Sequence, residues 1–134
     1  MAEGAHQLLS GGFAQLMGLE LLESADGLVR ARVAVREELK QPAGVVHGGV
    51  YAAMAEGMTS GATLLAVRSQ GKAAMGLSNH TSFLRPVSAG HVTAVGRARH
   101  RGSTTWVWEV EFLDDEDRLC ALSRVTVAVR PLPG

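Results

Sequence analysis

Aromatic residues are scarce in this 134-residue chain: three Phe, two Trp and one Tyr. With so few rings, the core has to be built from Val, Leu and Ala. Cysteine is almost absent. Cys120 stands alone, so no disulfide can close within the chain, which fits a reducing cytosol. There is no charge imbalance either, with 13 Lys and Arg against 13 Asp and Glu, and no basic run. That argues against nucleic acid as the main partner. The five histidines and the one cysteine show no C-x-x-C or H-x-x-x-H spacing, so no metal and no cofactor are expected. The N-terminus, MAEGAHQLLSGGFAQLMG, has no basic start followed by an apolar run and does not read as a signal peptide. Only Val50 to Val67 approaches membrane-spanning length, and Glu56 with the small polar positions Thr59 to Gly61 makes it a poor span. These absences describe a soluble, cytoplasmic protein. A chain of this length buries roughly two-thirds of its unfolded surface, enough for a single domain over residues 1–134 without a staple.

The apolar periodicity predicts a short amphipathic helix over residues 5–17 (Leu8, Leu9, Phe13, Leu16, Met17), weakened by Gly11-Gly12. Leu19 to Glu23 reads as a strand, and Asp26-Gly27 as a hairpin turn. Leu28 to Val35 alternates, with Arg30 and Arg32 on one face and Val29, Val33 and Val35 on the other. Arg36 to Gly44 reads as a loop. A long helix then begins near His47-Gly48 and runs to Val67. Its packed stripe is expected at Val50, Met54, Gly57, Gly61, Leu64 and Leu65, the two glycines leaving a shallow face for close approach of another backbone. Strands follow at Ala74–Leu84, Gly90–His100, Thr104–Leu113 and Leu119–Val129, expected as a four-stranded meander. One long helix beside regular strands implies an α+β fold with a single antiparallel sheet wrapped on that helix.

The segment HGGVYAAMAEG sets a carboxylate nine residues after His47, at Glu56. Downstream stand Asn79-His80-Thr81-Ser82-Phe83-Leu84-Arg85-Pro86, then a Gly102-Ser103 turn, and a last strand carrying Leu119, Ala121 and Thr126. In this pattern the chain resembles the hotdog-fold acyl-CoA thioesterases. It is most similar to the group that includes the Arthrobacter-type 4-hydroxybenzoyl-CoA thioesterase and the phenylacetate-pathway and enterobactin-associated enzymes. The resemblance implies a sheet curled round the long helix, dimers that often form tetramers, no metal, and active sites between subunits. Glu56 of one chain then faces the His47-Gly48-Gly49 loop of another.

Thioester hydrolysis needs a nucleophile or an activated water, donors for the developing oxyanion, and a grip on coenzyme A. Glu56 can serve as nucleophile or as general base on water, and the sequence leaves both open. Gly48 lies at the helix start, where the backbone N–H is unpaired and the dipole positive, so it can polarise the carbonyl. Ser60, four residues after Glu56, shares its face and can hold the water. His47 flanks the loop, and the resemblance makes Gln41 a polar contact to the thioester or the carboxylate. Arg85, Arg101, Ser103 and Thr104 offer cations and small donors at a strand end and a turn, and match family positions that contact the nucleotide.

Plainer readings compete with each role. Glu56 can be a solvated helix residue, His47 a helix cap, Gly48-Gly49 a tight turn, Ser60 a packing residue, and Arg101 to Thr104 an ordinary hairpin. Trp106 and Trp108 read as core or interface. Two other functions compete with thioester hydrolysis of an aryl or short- to medium-chain acyl-CoA. One is a non-catalytic acyl-CoA binding or sensing module on the same fold. The other is a hydratase, which needs a His/Asp dyad that Val50 to Val67 does not contain.

Overall fold

A six-residue helix, two strands, a twenty-residue helix and four more strands follow one another along the chain. The structure is a computed structural model that describes Gly4 and residues 11–133. The elements are α1 (Gly12–Met17), β1 (Glu20–Ala25), β2 (Leu28–Ala34), α2 (Gly48–Val67), β3 (Lys72–Phe83), β4 (His91–Arg101), β5 (Thr105–Leu113) and β6 (Leu119–Pro131). All described strands join one antiparallel sheet in the order β1-β2-β4-β5-β6-β3, and α2 packs chiefly against β3 and β6, with further contacts to β2, β4 and β5.

The alternation predicted for β2 holds. Val29, Ala31 and Val33 are buried, while Arg30 and Arg32 turn outward and pair with Glu23 and Glu20 across the β1–β2 ladder. The same logic puts Arg97 against Glu111 and Arg99 against Glu109 between β4 and β5. The outer face of the sheet is thus a lattice of cross-strand ion pairs, and the inner face is apolar. Trp106, Trp108, Val110 and Phe112 of β5 and Val125, Val127 and Val129 of β6 all point inward.

The meander is confined to β4-β5-β6. β3 does not lie beside β4 but pairs with β6, from Lys72↔Pro131 to Phe83↔Ala121. The thirteen-residue β6 presents a full edge once β5 has taken its other side. The segment 84–90 carries the chain from the end of β3 back across the open end of the curled sheet to β4. It buries Val87, whose carbonyl accepts from Val46 N–H at 2.9 Å, and so ties that end of the sheet to the segment leading into α2. Smaller shifts are one to two residues at strand ends, and Glu37–Leu39 forms a 3-10 turn inside the expected loop.

The packed stripe of α2 also differs from expectation. It runs Val50, Tyr51, Met54, Ala55, Met58, Thr59, Thr63 and Val67, while Gly57, Gly61, Leu64 and Leu65 lie half-buried beside it. Threonine can replace an aliphatic residue here because each hydroxyl is satisfied locally. Thr59 Oγ1 donates to the Ala55 carbonyl at 2.7 Å, and Thr63 Oγ1 to the Thr59 carbonyl at 2.8 Å. Thr63 Oγ1 also accepts from Trp108 Nε1 at 2.9 Å, fixing the helix to β5. A Cβ at Gly57 would meet nothing within 4 Å, so no backbone of the described chain uses that face. In α1, Met17 is buried but Phe13 and Leu16 are 64% and 70% exposed; Leu8 and Leu9 lie outside the described residues. Among the described residues no helix is long and apolar enough to cross a membrane.

Candidate active site

The loop before α2 is closed by its own backbone. Gln41 N–H donates to the Val45 carbonyl and Gly44 N–H to the Gln41 carbonyl, both at 2.9 Å, with Gly44 at a φ of 85° that suits glycine. His47 follows as the N-cap. Its Nδ1 accepts from Gly49 N–H at 2.8 Å, which fixes Nδ1 as the unprotonated nitrogen. A Cβ at Gly49 would lie 3.0 Å from that nitrogen, so the glycine lets the ring fold back over the helix start. The cap therefore takes the Gly49 amide and leaves Gly48 N–H without a partner among the described residues.

The free amide opens on a cleft of about 420 Å³ lined by Gln41, Val45, Val46, His47, Gly48, Tyr51, Phe83, Leu84, Arg85 and Pro86. The Phe83 ring lies over Gly48, where a Cβ would come within 2.7 Å of its Cζ, so only glycine leaves the amide open under the ring. A second, more apolar cavity of about 580 Å³ lies on the other side of His47, between α1 and α2. It touches Gly49, whose amide is occupied, and not Gly48.

Four of the residues singled out from sequence, Gln41, His47, Gly48 and Arg85, thus share one cleft. Glu56 does not join them. It lies eight residues along α2 from Gly48, about 12 Å on the helix axis, and its side chain is exposed. The carboxylate rests on β3, with Oε1 2.9 Å from the position a Cβ would take at Gly76. Ser60 is beside it, but its hydroxyl donates to the Glu56 backbone carbonyl at 2.7 Å and keeps only its lone pairs for a water. Asn79 Nδ2 donates to the Ala52 carbonyl at 2.9 Å, and Thr81 Oγ1 donates to Asn79 Oδ1 at 2.8 Å. This polar stitch holds the Glu56 turn of α2 at a fixed height over β3.

The four nucleotide-contact candidates are divided. Arg85 lies just beyond the C-terminal end of β3, whereas Arg101, Ser103 and Thr104 lie at the β4–β5 turn, next to Lys72 at the other end. The twelve residues of β3 separate the two groups by about 35 Å. Arg101 is held by Asp26 and stacks over Trp106, its guanidinium carbon 5.9 Å from the ring centroid. The Ser103 carbonyl accepts from Lys72 Nζ at 3.5 Å, and the Thr104 carbonyl accepts from Arg130 Nη1 at 2.5 Å. The turn is therefore ringed by three cations. Two residues of the site went unread in the sequence. Gly76 looks like any strand glycine, and Tyr51 looks like core. Only the close approach of Glu56 to the first, and the cleft beside the second, distinguish them. Among the described residues no three His, Cys, Asp or Glu side chains are grouped to hold a metal ion.

A single antiparallel sheet curled on one long helix is the hotdog fold. Residues 43–121 match the model of the thioesterase superfamily, and the chain belongs to that family. A solved thioesterase from Haemophilus influenzae superposes with a TM-score of 0.91 at 34% identity, covering 100% of this chain and 93% of that one. The 1,4-dihydroxy-2-naphthoyl-CoA hydrolase of Listeria monocytogenes is 32% identical over 119 residues, 89% of this chain and 96% of the relative. The proofreading thioesterase EntH of Cronobacter turicensis is 34% identical over 119 residues, 89% of this chain and 86% of the relative. The resemblance read from HGGVYAAMAEG and its downstream partners is thereby borne out, and the chain is a thioester hydrolase.

Proposed function

We propose that the chain hydrolyses the thioester of an aryl or short- to medium-chain acyl-CoA as a homodimer, with Glu56 of one copy acting on a carbonyl held at Gly48 of the other. The observation that carries this reading is the free Gly48 amide. The His47 cap consumes the neighbouring donor and leaves this one beside a cleft partly walled by Val45, Val46, Phe83, Leu84 and Pro86, where a hydrogen bond to a developing oxyanion is stronger than in open water. Glu56 either takes a proton from water, whose oxygen then attacks the carbonyl carbon, or attacks that carbon itself and is released by water. In both routes the C–S bond breaks and coenzyme A leaves as the thiol.

The separation of Glu56 from Gly48 supports a shared site. β3 is an edge strand twelve residues long, exposed over most of its length, and it presents Met75, Leu77 and Phe83 at 63%, 58% and 60% exposure. Long apolar edges of this kind are templates for pairing with another strand. The other edge, β1, is six residues long and interrupted near Leu21 and Glu23. Antiparallel pairing of β3 with its own copy about a two-fold near His80 brings Gly76 of one chain level with Phe83 of the other. Glu56 lies over the first and the Gly48 amide under the second. The same operation carries the Lys72 end of one β3 past the Arg85 end of the other. Arg101, Ser103 and Thr104 then come toward the partner's cleft, which reunites the coenzyme A contacts that a single chain separates.

The test is thiol release from aryl, short-chain and long-chain acyl-CoAs by wild type and Glu56→Ala. Loss of at least about a hundredfold in turnover, with fold and assembly intact, is expected for the carboxylate of such a reaction. Wild type that binds but hydrolyses none of them refutes hydrolysis of acyl-CoA and leaves a binding module. Turnover that survives Glu56→Ala refutes the assignment of Glu56.

A further inference from the structure

Tyr51 is 3% exposed, and its ring is wedged between Phe112, edge-on with centroids 5.2 Å apart, and Phe83, tilted at 6.1 Å. It lines the cleft that holds the free Gly48 amide, one helical turn further along α2. Helical side chains lean toward the helix N-terminus, so the phenol reaches back beneath Gly48. Among the described residues its hydroxyl makes no hydrogen bond. The only fully enclosed side-chain nitrogen or oxygen without a partner among those residues is Arg36 Nη1, so the unbonded Tyr51 oxygen keeps its access to the cleft. The cleft also carries the polar side chains of Gln41, His47 and Arg85, and none of them bonds the Tyr51 hydroxyl.

We infer that the Tyr51 hydroxyl is a specificity-determining donor that reads an oxygen on the acyl group, beyond the thioester itself. This rests on the proposed thioesterase site, because the Gly48 amide sets where the acyl group enters. An acyl group whose carbonyl meets Gly48 N–H runs inward past Phe83 to the phenol. Once an acyl group fills the cleft and excludes water, leaving the hydroxyl unmatched is costly, whereas an acceptor oxygen on the ligand satisfies it. Burial, with smaller contributions from Cys120 and Asp114, pushes the phenol up to about 12, so it remains a neutral donor throughout the physiological range. A site built to bond a substrate oxygen rejects the analogue lacking it far more strongly than an apolar pocket rejects a missing methylene. Phenylalanine at 51 would keep the wedge between the two rings and remove only the donor.

The experiment uses the non-hydrolysable thioethers phenacyl-CoA and its 2-, 3- and 4-hydroxy derivatives, titrated calorimetrically into wild type and Tyr51→Phe. Hydrolysis of the matching benzoyl thioesters is measured alongside. Wild type should bind at least one hydroxy derivative about tenfold more tightly than phenacyl-CoA. Tyr51→Phe should erase that preference while changing phenacyl-CoA affinity less than about twofold. An unchanged preference in Tyr51→Phe, equal weakening of all four ligands, no preference in wild type, or no binding of any analogue overturns the inference. Analogue binding with a Tyr51-dependent preference but no thioester cleavage would sustain the inference and refute the catalytic reading instead.

Discussion

Replacing Gly76 by alanine separates positioning from stability at the candidate site. The new Cβ would fall 2.9 Å from Glu56 Oε1, 3.2 Å from Cγ and 3.5 Å from Cδ. Ordinary contact requires the carboxylate to retreat by roughly half an ångström or more. Glu56 is exposed, so its side chain can swing aside at little cost. Gly76 is not among the residues at positive φ, and alanine within a strand is favoured over glycine by about 0.5–1 kcal/mol. The folded state should therefore be as stable as wild type or slightly more so. Catalysis should not be spared, because a displacement of about 1 Å in a reacting group can cost about a hundredfold in rate. Steady-state thiol release should show kcat/KM down by ten- to a hundredfold, roughly as that principle allows, beside an unchanged or higher thermal midpoint. If Gly76→Ala turns over like wild type while Glu56→Ala is inactive, the carboxylate does not work from its place over Gly76. If midpoint and rate fall together, the glycine serves the sheet and not the site.

The proposed pairing of β3 with its copy predicts that His80→Cys forms a disulfide-linked dimer under mild oxidation, since residues facing across an antiparallel two-fold lie within disulfide reach. Cys120 is buried and should not contribute, and Glu116→Cys at the exposed β5–β6 turn should give no dimer; equal crosslinking at both sites would discard the β3 interface. Asp114 supplies a pH test of that turn. It accepts from Arg118 N–H and Glu116 N–H, both at 2.9 Å, and from Arg118 Nε at 2.8 Å, and these bonds, the Arg118 amide foremost, hold its carboxyl below the ordinary value. A lowered folded value contributes stability that is present above the unfolded value of about 3.9 and is lost as pH falls through the folded one. Asp114→Asn should lower the thermal midpoint at pH 7, with the gap closing below about pH 4; a gap of constant size would show that the carboxylate's charge is not what the turn uses.

Local chemistry made much of the fold legible. The Asp26-Gly27 turn, the alternation of β2, and the helix start at His47-Gly48 follow from turn residues, period-two patterning and a capping side chain, and all three appear as expected. The stripe of α2 did not. Apolarity alone selects Leu64 and Leu65 over Thr59 and Thr63, yet burial of the threonines depends on bonds to Ala55, Thr59 and Trp108 that no periodicity announces. The place of β3 was equally hidden. Chain order favours a neighbour in sequence, whereas β3 crosses three positions to β6 because the curled sheet closes over α2 and leaves β6 as the edge to be filled.

The candidate site is where sequence and single-chain geometry diverge most. His47, Gly48 and Glu56 sit within ten residues of one another, which suggests one constellation. A straight helix turns that short interval into about 12 Å of axial separation. Glu56 then has Gly76 beneath it and lies away from the Gly48 amide, which has Phe83 above it and, among the described residues, no carboxylate lining its cleft. Each half has what the other lacks, and both halves lie along β3, the one long unpaired edge of the sheet. In the proposed dimer, the strand that a two-fold partner would use for its backbone hydrogen bonds is therefore the strand that would set the two half-sites in register. The length of β3 fixes the distance between Gly76 and Phe83, and α2 fixes that between Glu56 and Gly48. An insertion in either element would leave both half-sites intact and part them, so the proposed shared site requires the two lengths to agree.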